Sequence, residues 1–292
     1  MSNVKIKWNP KGFELDSLGQ KKITRITDGD TPFIEMSIRM LSIDTPELHY
    51  PGMTSPDKFD AKFKKLADWI GQGSAPLSPG LGDYLKKKLG TGKAGRLHKE
   101  QGEKAREQFQ KLLDTKLKAK NGKKKPVFLR AADEHFDQYG RLLAYLSPHY
   151  TREQLAAMTL KERATFNLLM VESGWAASFP IYPSLPKIDD FALLQEAGQG
   201  AFEKPKGVWK NPLSLTGYEY RMCVRLFEIT EMLVSGGTVS EKVKSSWIER
   251  YCVDITTAQL FNPEDYYKVL PYNRLFLWPK DVAEAKAKLN LV

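Results

Sequence analysis

Two short acidic stretches and one arginine carry the chemistry this sequence could perform. Asp28-Gly29-Asp30-Thr31 opens a run that closes on Asp44-Thr45-Pro46-Glu47. Between them Ile34, Met36, Ile38 and Met40 alternate with Glu35, Ser37 and Arg39. That two-residue period is the pattern of a half-buried strand. A strand folded back as a hairpin could bring its acidic ends to one hard cation, which takes oxygen ligands. Arg39 is near enough in sequence to face the same place. Carboxylates, a cation and a guanidinium together can attack a phosphodiester. Each piece also has a plainer reading. Asp28-Gly29-Asp30 suits a β-turn, Asp44-Thr45-Pro46-Glu47 suits a helix start with proline at its first position, and a lone arginine suits a surface.

The elements around these residues must meet certain conditions. Ile23–Thr27 reads as the strand that leads into Asp28, after a lead-in with a turn at Pro10-Lys11-Gly12. Pro32 lacks an N–H and must sit at a strand start, edge or bulge. Arg39 and Asp44 are five residues apart, so strict alternation would put them on opposite faces. For both to serve one site the chain must bulge or turn between them, and Ser42 and the Thr45-Pro46 step are the candidate places.

The order Asp28-Gly29-Asp30-Thr31, then Arg39, then Asp44-Thr45-Pro46-Glu47 resembles the staphylococcal nuclease family. Two further stretches add to it: Tyr139-Gly140-Arg141 ahead of the apolar run Leu142–Tyr145, and the helix-like Asn167–Gly174. The resemblance spans roughly 25–210. It implies an α+β fold, a five-stranded OB-fold-like β-barrel with packed helices. It also implies Ca²⁺ held by Asp30, Asp44 and the Thr45 carbonyl, with Asp28 outside the ligand set. Glu47 would orient or deprotonate the attacking water, and Arg39 and Arg141 would grip the scissile phosphate. Tyr139 and Tyr182 would lie near the nucleotide, with Phe179 a weaker match than Tyr182. Ordinary packing is the equal alternative for both of those last two aromatics. The implied activity is a sugar-nonspecific, calcium-dependent endo- or exonuclease on DNA and possibly RNA, leaving 3′-phosphates. The alternative is a non-catalytic nucleic-acid-binding or protein-interaction module of the Tudor-type class, whose members typically lose these acids or arginines.

We read residues 1–211 as the nuclease-like domain, with an insertion at about 49–101, and 212–292 as a smaller C-terminal α+β extension. Helical spacing appears in Phe59–Ile70, Gly102–Lys120, Thr151–Arg163, Phe166–Ser173, Asp189–Lys206, Glu219–Leu233 and Asp281–Leu289. Strands are expected at Pro126–Arg130, Arg141–Leu146, Trp247–Phe261 and Tyr272–Trp278. Leu89-Gly90-Thr91-Gly92-Lys93-Ala94-Gly95 lacks full P-loop spacing and reads as a loop. The extension is dense in aromatics, including Trp247, Tyr266, Tyr272 and Phe276. Such residues can stack on single-stranded bases, but a small aromatic core is the simpler reading, and no chemistry is assigned there.

Charge is unevenly placed. The chain carries a formal +10, and residues 84–130 hold 16 Lys/Arg against 4 Asp/Glu. A concentrated basic segment favours polyanions through counterion release; a solvated lysine face is the alternative. No apolar run approaches the ~18 residues of a membrane span. No secretory leader is visible at the N-terminus, so a cytoplasmic chain is expected, with a processed secreted one as the alternative. Cys223 and Cys252 make no metal pair and are expected as packed, reduced thiols. His49, His98, His135 and His149 show no metal-ligand spacing.

Overall fold

A computed structural model describes residues 20–119 and 122–292. The lead-in strand and the Pro10-Lys11-Gly12 turn lie outside the described residues. Strands β1 (Lys22–Ile26) and β2 (Pro32–Glu35) form an antiparallel hairpin across the Asp28–Thr31 turn. Pro32 takes the first position of β2, where its missing N–H is tolerated. The continuous strand expected from Ile34 to Met40 is broken at Met36 and Ser37. Its second half, β3 (Ile38–Met40), leaves the hairpin and pairs with a strand a hundred residues on. Then the chain turns at Leu41–Ser42 into β4 (Ile43–Asp44). Ser42 has φ 58°, the left-handed kink that a common site for Arg39 and Asp44 demanded.

Helices α1 (Asp60–Gly71), α2 (Pro79–Leu89) and α3 (Ala94–Lys116) follow. α3 starts well before the Gly102 expected from periodicity, and it includes Gly95. β5 (Val127–Phe136) and β6 (Leu142–Pro148) are antiparallel, and β3 lies parallel on the other side of β6. α4 (Arg152–Ala157) opens on a capping box from Thr151 and Gln154 and stops short of Arg163. α5 (Phe166–Glu172) ends at Gly174, φ 74°, the left-handed stop that glycine allows. β7 (Ala177–Ser178) pairs with β4, and α6 (Ile188–Glu203) closes the first part. The C-terminal part is α7 (Gly217–Val234), α8 (Glu241–Ser245), β8 (Tyr251–Asp254), β9 (Gln259–Phe261), β10 (Arg274–Leu277) and α9 (Val282–Leu289). Its strands form one antiparallel sheet in the order β10-β8-β9.

The fold is mixed α+β. The described strands form four separate sheets and no closed barrel. The break at Met36-Ser37 sets the β1–β2 hairpin apart, and every residue of its two strands is exposed. Ile23, Ile26, Phe33 and Ile34 stand exposed on it, as do Val127, Phe128 and Leu129 on β5. Among the described residues no helix is long and apolar enough to cross a membrane.

The largest apolar cluster joins the insertion to the C-terminal part. Phe59, Phe63, Leu66, Leu81 and Leu85 pack with Tyr218, Tyr220, Leu226 and Phe227. Trp69 stacks on Phe227 with ring centroids 5.5 Å apart. Trp247, Tyr266, Tyr272 and Phe276 are buried, so these aromatics form core, as the simpler reading had it. Cys223 and Cys252 are buried free thiols.

A charged network sits inside this cluster. Glu219 on α7 takes Lys88 Nζ at 2.9 Å, the Tyr84 hydroxyl at 2.6 Å and the Tyr266 hydroxyl at 3.2 Å. Its Oε2 also accepts the Thr216 N–H at 3.0 Å and so caps its own helix. Burial raises the Glu219 carboxyl, yet Lys88 and then Arg274 hold it below the usual range. A buried charge is tolerated only when it is paired and hydrogen-bonded in this way. The network ties α2 to α7, and α7 reaches the acidic loop at Asp44.

Candidate active site

The loop Asp44–Glu47 is held between α3 and the first turn of α7. On the α3 side, a side chain at Gly102 would come within 3.0 Å of the Glu47 carbonyl and 3.1 Å of the Pro46 carbonyl. On the α7 side, one at Gly217 would overlap the Thr45 carbonyl and the Asp44 carboxylate. Both glycines are therefore needed for close approach. Asp44 sits at the N-terminus of α7, where free N–H groups favour an anion. The Tyr218 N–H donates to its Oδ2 at 2.5 Å. Its Oδ1 takes Arg221 Nη2 at 2.9 Å and Arg39 Nη2 at 3.3 Å. The same Arg221 donates through Nη1 to Glu47. Burial pushes the Asp44 carboxyl up, but Arg221 and then Arg39 more than offset this and hold it below the usual carboxylate range. Burial likewise opposes the Arg221 charge, and Asp44 and Glu47 restore it and hold its pKa above the ordinary value.

His98 on α3 supports the loop from behind. Its Nε2 accepts the Glu47 N–H at 2.8 Å, and its ring stacks on Tyr220 at 4.2 Å. Burial brings it down to about 3 from 6.5. The unfolded chain takes up this proton below about pH 6.5 and the folded chain does not. Stability is thus complete above pH 6.5 and falls on acidification toward pH 3, with a slope of up to about 1.4 kcal/mol per pH unit. Below 3.8 the lowered Asp44 adds a second loss of the same sign. Urea midpoints from pH 8 to 4 are expected to fall, and His98→Gln is expected to flatten the fall between pH 6.5 and 4. Equal slopes in the two proteins would contradict this role.

Arg141 immediately precedes β6, the strand neighbouring β3. Arg39 is in register with Leu143, and Arg141 lies just outside β6, between the Gly140 turn (φ 68°) and Leu142. Asp137 holds the guanidinium, at 2.7 Å to Nε and 2.6 Å to Nη2. Tyr139 is 73% exposed, with the Arg141 guanidinium 5.3 Å from its ring centre. The Tyr50 hydroxyl, raised chiefly by burial, feels Arg225, Arg221 and Tyr139.

Other expected residues lie elsewhere. Asp30 and Asp28 are on the exposed β1–β2 turn, where Thr31 Oγ1 donates to Asp30 at 3.1 Å. Hydrogen bonding, from Thr31 first, holds Asp28 below its usual range. Asp44 instead has Tyr218, Arg39 and Arg221 as its partners. Tyr182 is buried among Val253, Leu275 and Leu277 and donates its hydroxyl to Glu284 at 3.1 Å. Phe179 packs on Phe276 and Tyr218. His49 is exposed.

Calcium needs about six to eight oxygen ligands. Both Asp44 oxygens are already engaged, the Thr45 carbonyl faces Gly217, and Asp30 sits on the outlying hairpin. Among the described residues no three His, Cys, Asp or Glu side chains gather as a metal group. In this arrangement the expected ligand set does not fit the ion.

Two contributors were absent from the sequence reading. His98 and Arg221 lie 51 and 174 residues from Glu47, so no local pattern points to them. Arg250 is a third. It stacks over Trp278 at 4.0 Å, its Nε is buried without a hydrogen-bond partner, and burial pushes its pKa down.

The site pairs two carboxylates at a strand end with arginines in an α+β fold. The chain belongs to the staphylococcal nuclease family, whose homologue model matches residues 37–211. That match includes Arg39, Asp44, Glu47, His98 and Arg141; it begins after Asp30 and ends before Arg221. A search of curated proteins gives no match.

Proposed function

We propose that this chain is a phosphodiesterase acting on DNA and possibly RNA. The observation that carries this reading is the cluster of Arg39, Asp44 and Glu47, joined through Asp44 and Arg221. Glu47 keeps 28% of its side chain exposed while Asp44 has none. Glu47 is thus the carboxylate a water can reach, and it would orient that water or take its proton. Arg39 and Arg141 would grip the phosphoryl oxygens and offset charge that builds in the transition state. Tyr139, exposed beside Arg141, suits contact with a base or sugar. The basic residues of the 84–130 segment would track the backbone, although Lys88 on α2 is committed to Glu219.

Calcium dependence and 3′-phosphate products belong to this proposal and rest on the family. So does the OB-like barrel. Closure of the β1–β2 hairpin against the rest would cover the apolar side chains exposed on it and on β5, and would carry Asp30 inward. The division into a nuclease-like unit to residue 211 and a C-terminal unit is proposed in the same way, with helices α1 and α2 of the insertion packed on the second unit.

One observation favours a second reading, a non-catalytic nucleic-acid-binding module: the complete engagement of Asp44. Denatured DNA incubated with Ca²⁺ or with EGTA separates the two. Chelator-sensitive cleavage leaving 3′-phosphate ends is expected. Retention of DNA without cleavage at any Ca²⁺ level would give the module instead.

A further inference from the structure

We propose that Arg250, in the C-terminal part and outside the family-matched segment, binds a backbone phosphate of the nucleic acid beside the acidic loop. It rests on the reading of that loop as one that faces a nucleic acid.

Arg250 immediately precedes β8, and three aromatic rings hold its guanidinium. The ring centre of Trp278 is 4.0 Å away, that of Tyr218 5.5 Å and that of Phe179 5.6 Å. Two of these rings belong to residues whose main chain is bonded to the segment 42–44. The Phe179 N–H donates to the Ser42 carbonyl at 2.8 Å, and the Tyr218 N–H donates to Asp44 Oδ2 at 2.5 Å. The cation is therefore fixed next to the start of the acidic loop.

Stacking occupies the faces of a guanidinium and leaves its in-plane N–H donors free. Among the described residues no acceptor meets those of Arg250. Nε is sealed from water without a partner, whereas Nη1 and Nη2 are open to solvent and bond no protein group. The Tyr218 hydroxyl beside it is also buried without a partner. A cation buried to this degree is ordinarily paired with an acid. Here Asp44 is committed to Tyr218, Arg39 and Arg221, and Glu47 is committed to Arg221. The adjacent Glu249 is exposed. Burial lowers the Arg250 pKa, and Arg221 and Arg39 add to this while Tyr218 and Asp44 oppose it. Arg39, Arg221 and Arg250 thus face Asp44 and Glu47, and one positive charge is left over. An oxyanion on the open Nη pair supplies the missing charge, because the planar fork matches two phosphate oxygens. Arg39 and Arg141 are taken up by the scissile phosphate in the hydrolase reading, so Arg250 holds a flanking one.

The full chain tests this in EGTA, where binding is read without cleavage. A labelled single-stranded oligothymidylate is titrated across a range of salt concentrations. Arg250→Met is expected to bind about tenfold more weakly, the worth of one charged hydrogen-bonded contact. Its slope of log affinity against log salt is expected to be shallower by about 0.7, the share of one phosphate on a single strand. Arg250→Lys keeps the charge without the fork, so it is expected to keep the slope and lose part of the affinity. Affinity and slope unchanged in a folded Arg250→Met would overturn the proposal. If methionine prevents folding, the unaltered chain gives the answer through the Arg250 Nε–H resonance, assigned by its loss in Arg250→Lys. It is expected to shift as the oligonucleotide saturates. A resonance that the oligonucleotide leaves unmoved would overturn the proposal, and so would one that only inorganic phosphate moves, which would make this a site for the free ion. Cleavage is scored separately with Ca²⁺. A shallower slope without cleavage upholds Arg250 and removes the hydrolase reading. Cleavage with an unchanged slope overturns Arg250 and leaves that reading standing.

Discussion

Glu47→Ser is expected to lower the cleavage rate by about 10²–10⁴-fold, the usual worth of a positioned general base, while DNA affinity stays within roughly threefold. Glu47 is the accessible acid of the cluster, and its backbone is fixed by His98 and its side chain by Arg221. Serine keeps the loop's hydrogen bond to His98, which runs through the main chain. It leaves Arg221 paired with Asp44, so the fold of the loop should persist. The loss should fall on kcat, with the affinity for a non-cleaved oligonucleotide as the control. Arg141→Ala should show the complementary pattern, losing phosphate affinity as well as rate, because the guanidinium would touch the substrate itself. Turnover in Glu47→Ser equal to that of the unaltered chain would remove Glu47 from the chemistry.

Lys88→Met is expected to destabilise the protein by about 3–5 kcal/mol, the usual cost of leaving a buried charge without its partner. Glu219 has no exposed side-chain surface and Lys88 has 10%. The two tyrosine hydroxyls would stay on Glu219, and Arg274, the weaker of its two counter-charges, would be left to offset it without the ion pair that Lys88 makes. In a chain of this size such a loss should lower the melting temperature by about 2–4 °C for each kcal/mol. The double change Lys88→Met/Glu219→Gln should recover part of the loss, because it removes the stranded charge while keeping an acceptor for the tyrosines. Additive losses in the double variant would show that the pair does not couple.

Much of the acidic loop was legible in the sequence. The five-residue gap between Arg39 and Asp44 demanded a kink, and Ser42 supplies it with φ 58°. The glycine stop at Gly174 and the cap at Thr151 follow from local rules that need no partner. Gly95 and Gly102 look like helix breakers, so the start of α3 was placed late. They are glycines because the Pro56 carbonyl, the Pro46 and Glu47 carbonyls and the Leu48 side chain press against the helix there. The unbroken alternation from Ile34 to Met40 gave no warning of the interruption at Met36-Ser37, since side-chain pattern does not record backbone pairing. Arg221 was invisible for a stronger reason. It lies beside the apolar stripe Met222, Leu226 and Ile229, and only the docking of α7 turns a helix-surface arginine into the counter-ion of Asp44.

The partnership of α2 with α7 also bears on how the polypeptide emerges during synthesis. Lys88 and Glu219 are 131 residues apart. At the ~5–20 residues per second of translation, Leu81 and Leu85 wait on the order of ten seconds before the helix that shields them leaves the ribosome. Through that interval the nascent chain shows an unshielded greasy surface next to a lysine-rich one, and a holding chaperone would find its grip there.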